Sequence, residues 1–282
     1  MSRPRGSRPR FSGKLRRPAN PKATAAEHRH VLGLAGALAD ELDPAGTSAV
    51  LLAGSWARGD AHRASDIDLW VVGRRRPAKP GFYGHRSFER DGRLVSVRYS
   101  SPAQDRREMR DPARLDGAVP GWRVAKILRD PSGVASRLQW EARRFRWGPV
   151  RRARDAYLAE QLVGWSEEVA KLLRAMDTGE KETASVQRNL LANRMACLRA
   201  MQLELLGDTE NGLWERVGRR AGPAFRAAQR AALGTDGGVW SESCEGALRL
   251  YAITARAALG VLRGEGRRIV LAACRRAGYP VG

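Results

Sequence analysis

Residues 49–73 read AVLLAGSWARGDAHRASDIDLWVVG, and the rest of the chain reads as their support. Ala49 to Ala53 is a short apolar run ended by Gly54-Ser55, and Ile67 to Val72 is a second ended by Gly73, so the stretch predicts strand, turn, short helix (Trp56 to about His62) and strand. The glycine permits a sharp turn, and the Ser55 hydroxyl sits where the next helix begins, among free N–H groups; the pattern is that of a phosphate seat. Asp66 and Asp68 are two apart, so both carboxylates leave one face of the second strand while Ile67, Leu69 and Val71 leave the other. Two like charges side by side call for a cation. A pair of carboxylates completed by substrate phosphates is the ligand set that Mg²⁺ prefers.

Gly54-Ser55, Ala57-Arg58-Gly59 and Ser65-Asp66-Ile67-Asp68-Leu69 resemble, in order and spacing, the motif of the DNA polymerase β-like nucleotidyltransferase superfamily. The wording is most similar to its small bacterial branch, which includes the kanamycin-type antibiotic nucleotidyltransferases and the minimal nucleotidyltransferases of toxin–antitoxin pairs. The resemblance covers about 25 residues. It implies Mg²⁺-dependent transfer of an NMP from an NTP to an acceptor hydroxyl with release of pyrophosphate. Gly54 and Ser55 would hold the terminal phosphates, with Arg58 and Ser65 as further nucleotide-binding positions, and Asp66 and Asp68 would be the catalytic, metal-holding pair.

A hairpin follows, with strands Ser87–Arg90 and Arg93–Tyr99 around Asp91-Gly92, a strong two-residue turn signal. In the resembled family this strand carries a third carboxylate. Here, with Val95 and Val97 in the core, Leu94, Ser96 and Arg98 face the crevice, and Ser96 stands where the acid is expected. A serine hydroxyl neither holds Mg²⁺ strongly nor accepts a proton at neutral pH. Three accounts stay open: Glu89 or another acid such as Glu108 substitutes, the acceptor needs no strong base, or the chain is a catalytically impaired nucleotide- or RNA-binding regulator. Arg98 is either a triphosphate ligand or a solvated edge residue.

Elsewhere the pattern is regular. Thr24-x-x-Glu27 has capping-box spacing ahead of Val31, Leu34, Ala35, Leu38 and Leu42, a helix over 25–42; His28 and His30 near its start read as surface residues. Ser101-Pro102 caps another helix, and 121–128 reads as a last strand. From 137 strand signals vanish, and helices are expected over about 151–176, 180–206, 208–220, 222–233, 239–263 and 265–277, with Trp147, Trp165, Trp214 and Trp240 in the core or at a domain interface. The fold class is therefore α+β: a small mixed-sheet domain (23–136) followed by an all-α helical bundle domain (137–282). Residues 1–22, with eight Lys or Arg and no acid, read as a disordered basic arm that contacts nucleic acid, solubilises the chain or serves as a transit peptide.

The net charge of +21 favours polyanionic partners. An RNA or protein acceptor suits that charge better than a polycationic antibiotic, although Glu204, Asp208, Glu210 and Glu215 would attract such a small molecule. Three scattered cysteines, with no close pair to suggest a zinc site or disulfide framework, read as buried thiols in a reducing, cytoplasmic setting. No apolar run approaches a membrane span of about 20 residues.

Overall fold

The computed structural model describes residues 20–73, 84–207 and 210–281, with the side chains of residues 210 and 211 left aside. Most of the basic arm, Asp208 and the side chain of Glu210 thus lie outside the described residues. Asn20 to Lys22, assigned to the arm, are in fact tied down: the Asn20 side chain accepts the Ala64 N–H at 3.1 Å, its carbonyl meets His62 Nδ1 at 2.9 Å, and Lys22 bridges His62.

Helix α1 (Ala25–Leu42) starts at Thr24, whose hydroxyl accepts the Glu27 N–H while Glu27 accepts the Thr24 N–H, the reciprocal cap its spacing predicts. Its buried stripe of Val31, Ala35, Leu38 and Ala39 lies on one face of a five-stranded sheet. The strands are β1 (Ala49–Leu52), β2 (Ile67–Val72), β3 (His85–Arg90), β4 (Arg93–Ser100) and β5 (Lys126–Arg129), in the order β3-β4-β2-β1-β5. β2 and β4 are parallel and the other pairs antiparallel, so the sheet is mixed as expected. The β3–β4 turn places Asp91 and Gly92 at φ 52° and 70°, the left-handed pair that a two-residue hairpin requires.

The sheet's second face is covered by α3 (Pro102–Glu108), α4 (Leu115–Val124) and α5 (Val134–Arg143). Here the sequence reading needs correction. Residues 121–124 belong to α4, not to the last strand: Leu115, Val119 and Trp122 recur at helical intervals and bury together against Leu51 and Val72, leaving β5 only 126–129. The expected boundary at 136 falls in the first turn of α5, whose Ala135, Leu138 and Ala142 belong to this same core.

Beyond a 3₁₀ turn (Gly148–Val150) come α6 (Arg151–Asp177), α7 (Lys181–Gln202), α8 (Glu210–Ala221), α9 (Pro223–Ala232), α10 (Trp240–Ala257) and α11 (Gly264–Arg276), close to the expected spans except that α10 stops at Ala257 rather than near 263. They share one core containing Leu162, Leu191, Met195, Phe225 and Tyr251, so the α+β sheet region is followed by a helical region. α7 ends four residues early because Glu204 takes φ 55° and breaks the helical path. Trp147 belongs to both the helical core and the α4–α5 core, and its indole N–H donates to the Glu204 carbonyl at 2.9 Å, which fastens the end of α7 beside the sheet. Among the described residues no helix is long and apolar enough to cross a membrane.

Candidate active site

β1 delivers the chain into α2 (Gly54–Arg58), a single short turn closed by Gly59 at φ 86°. Asp68 enters from the neighbouring strand, and the Ala53 N–H donates to its carbonyl at 2.8 Å. The Asp68 carboxylate lies directly over Gly54: a Cβ there would stand 1.9 Å from Asp68 Oδ2, on a backbone at φ +62°. Glycine is thus required twice, by conformation and by contact. Gly54→Ala should displace Asp68, destabilise the protein by about 1–3 kcal/mol and sharply reduce any Asp68-dependent activity, as thermal melting and product formation would show.

Asp66 and Asp68 are half-buried while Ile67 and Leu69 are fully buried, the alternation the strand pattern predicts. Burial, with the nearby Asp66 charge adding to it and Arg58 opposing it, pushes the Asp68 carboxyl up to about 6. That is the mark of a carboxylate set in a low-dielectric corner beside a like charge. A divalent cation fits this donor set. Among the described residues no group of three His, Cys, Asp or Glu could hold a metal, so its remaining ligands would be phosphate or water oxygens.

Arg58 lines the same cavity as Gly54 and Asp68 and is ion-paired to Asp60 at 3.2 Å. Ser65 lies in the turn before β2, where its hydroxyl accepts the His62 N–H at 2.9 Å and its carbonyl accepts the Trp56 indole N–H. Trp56 is wholly buried, Arg93 stacks on it at 5.2 Å, and His28 Nε2 lies 2.9 Å from its carbonyl. His28 is therefore no surface residue: it buttresses α2 from α1, whereas His30 is exposed.

The parallel register sets Ser96 directly opposite Asp68. Ser87 faces Ser96 from the other side, and Glu89 pairs with Leu94, exposed and further out. Arg98 is neither a free phosphate ligand nor a solvated edge residue. Its guanidinium donates to Asp105 at 2.7 Å and Glu108 at 2.6 Å and lies over Trp70, so Glu108 too is already engaged.

A cavity of about 360 Å³ opens over Asp68, and α4 forms one of its walls. Asp116, in the first turn of α4, lines it; Gly121, in the last, packs so closely on Trp70 that a Cβ would lie 2.7 Å from the ring. The opposite wall is Trp147, Cys197, Met201, Leu205 and Leu213 from the helical region. The sequence reading missed Asp116 because it took the following residues for a strand. The helical repeat of Leu115, Val119 and Trp122 was the available signal, and it places Asp116 in a helix's first turn. Of the acceptor-attracting cluster, Glu204 is ion-paired to Arg154 and Glu215 to Arg219.

Residues 37–111, spanning this strand–turn–strand unit, match the family described as "Nucleotidyltransferase domain". This region is a nucleotidyltransferase domain of the DNA polymerase β-like superfamily. The chain is also similar in fold to a crystal structure of a nucleotidyltransferase-like protein from Exiguobacterium sibiricum 255-15, at 14% identity and a TM-score of 0.52 over 86% of this chain and 79% of that one. The likeness in fold therefore runs past the nucleotidyltransferase domain into the helical region. No curated protein matches the sequence.

Proposed function

We propose that the crevice transfers a nucleoside monophosphate from an NTP to an acceptor hydroxyl, releasing pyrophosphate. The observation that carries this reading is the Asp66–Asp68 pair, with the Asp68 carboxylate set over Gly54 and its pKa driven up by burial and by its neighbour. Gly54, Ser55 and Arg58 bind the triphosphate, and Ser65, whose hydroxyl oxygen is engaged by His62, keeps its O–H to donate to the nucleotide. Asp66 and Asp68 would hold a divalent cation, Mg²⁺ in our reading, which would supply charge stabilisation at the α-phosphate. The acceptor oxygen forms a bond to the α-phosphorus, the bond from that phosphorus to the bridging oxygen breaks, and pyrophosphate leaves with the electron pair.

The hydroxyl proton needs a receiver, and Ser96 is unsuited to that role. We assign it to Asp116, supported by its place on the wall of the cavity that holds Asp68. Among the described residues it forms no three-ligand cluster with Asp66 and Asp68, which suits an acceptor-side carboxylate better than a third metal ligand. Asp116→Asn should lower kcat by about 10²-fold or more while leaving NTP affinity nearly unchanged. Pyrophosphate release with each NTP, measured beside equilibrium NTP binding, tests both roles; an unchanged kcat removes Asp116 from the chemistry.

We further propose that residues from Asn20 through α5 act as the nucleotidyltransferase domain and the helices from α6 onward as a second domain that completes the acceptor pocket. The basic residues of 1–19 are retained as a nucleic-acid contact, and the chain as cytoplasmic. Ser96 opposite Asp68 favours a second reading, a regulator that binds nucleotide without turnover. Pyrophosphate release that never exceeds the rate without enzyme, in a protein that binds NTP, would decide for it.

A further inference from the structure

A second cavity, of about 830 Å³, lies between α3, α5 and the start of α6. It shares no lining residue with the cavity over Asp68, and none of the residues assigned to nucleotide transfer lines it. Its size is that of a small-molecule site, about 300–1,000 Å³. Met109, Phe145 and Val150 give it an apolar lining, and all three side chains also pack in or against the α4–α5 core. The lining is thus carried by packed elements.

Trp140 stands apart from that packing. α5 turns Ala135, Leu138 and Ala142 into the core and leaves this indole 58% exposed in the cavity, with the Arg144 guanidinium 4.5 Å from its ring centre. Four arginines line the same cavity. Arg106 is held at 2.9 Å by Glu141, the one carboxylate among the lining residues. Arg110, Arg144 and Arg146 pair with no carboxylate among the described residues, whereas Arg98, Arg129 and Arg154 on nearby elements each hold two. Three like charges gathered around one concave surface repel one another until an anion joins them.

One exposed ring and one group of guanidiniums set the ligand's chemistry: an aromatic plane to stack on the indole, and several negative charges beside it. A nucleotide has both. A polynucleotide strand would call for a row of rings along a track, and an acidic peptide supplies the charge without the plane. We propose that this cavity binds a free nucleoside polyphosphate, its base on Trp140 and its phosphates on Arg110, Arg144 and Arg146, as a site separate from the crevice. The inference does not depend on the crevice's being a transferase.

Equilibrium dialysis of the full chain with labelled ATP, GTP, CTP and UTP in EDTA separates the two places. Without a divalent cation the Asp66 and Asp68 charges oppose a triphosphate, whereas the arginines need no metal. At least one NTP should bind under these conditions. Trp140→Ala should weaken its binding about tenfold, within the range for loss of one stacked base, and Arg110→Gln with Arg144→Gln about tenfold or more. These side chains are exposed, and unchanged melting temperatures would confirm intact folding. Tripolyphosphate, which has the charge and no base, should bind more weakly and be indifferent to Trp140→Ala.

Unchanged affinity in both variants, or tripolyphosphate bound as tightly as every NTP, would overturn the site. Binding in EDTA that disappears in Asp66→Asn/Asp68→Asn and persists in Trp140→Ala would place the nucleotide in the crevice and overturn it equally. A short RNA strand or a glutamate-rich peptide that binds through Trp140 more tightly than any NTP would overturn the choice of ligand. Trp140-dependent NTP binding in a protein that transfers no nucleotide would remove the transferase reading and leave this inference standing.

Discussion

Replacing Asp66 and Asp68 together by asparagine is expected to abolish nucleotide transfer while making the metal-free protein harder to unfold. Losing both carboxylates removes the seat of the cation, worth several kcal/mol of transition-state stabilisation, so the rate should fall by about 10³-fold or more. Stability moves the other way. Burial and the Asp66 charge raise the Asp68 carboxyl from an ordinary 3.8 to about 6 in the folded chain. A carboxyl whose folded pKa exceeds its unfolded one contributes stability at low pH, and that contribution is lost as pH rises through the folded value. Asparagine has no such loss. The variant's advantage should therefore be absent near pH 4 and full above about pH 6–7, on the order of 1–2 kcal/mol once the open side of the crevice is allowed for. Melting curves at pH 4 and pH 8 test the sign. Added Mg²⁺ or Mn²⁺ should raise the wild-type melting temperature at pH 8 and leave the variant's unchanged.

Asp105→Ala should cause the largest loss of stability, about 2–4 kcal/mol, because it removes a fully buried acceptor from Ser100 and one of the two carboxylates that hold Arg98. Asp105 is fully buried in α3, accepts from Arg98 at 2.7 Å and from the Ser100 hydroxyl at 2.8 Å, and so locks that helix to β4. Burial raises its carboxyl, with Arg98 and Ser100 pulling it down, so the pair adds less net stability than its geometry suggests. Alanine would leave Arg98 to Glu108 alone and take the acceptor from the Ser100 hydroxyl. Asp105→Asn, which keeps an acceptor for Ser100, should cost much less, and denaturant melts of the two variants would separate the lock from its charge.

The elements legible in the sequence were those with a local cause. Thr24 and Glu27 cap α1, Asp91-Gly92 turns the hairpin, and the alternation around Asp66 and Asp68 sets both carboxylates on one face. Long helices with a broad apolar stripe, such as α7, were equally readable, although Leu190 on α7 is 43% exposed. What escaped depends on contacts between distant segments. Residues 121–128 mix apolar side chains so densely that strand and helix are locally indistinguishable, and the packing of Trp122 on Trp70 decides for a helix as far as Val124. Arg98 reads as a crevice residue by alternation, and only the approach of α3 with Asp105 and Glu108 turns it inward. Asp116 joins the site because α4 folds over β2, which no spacing near the Asp66–Asp68 motif announces.

The most direct measurement of the central claim is label transfer from NTPs carrying ³²P at the α-phosphate, with pools of RNA, protein and small hydroxyl compounds as acceptors, for the wild type beside Asp66→Asn/Asp68→Asn. The account predicts label covalently joined to an acceptor by the wild type, at least about 10³-fold faster than by the variant. Label that stays with free nucleotide in every pool, or that reaches an acceptor equally with both proteins, would contradict it.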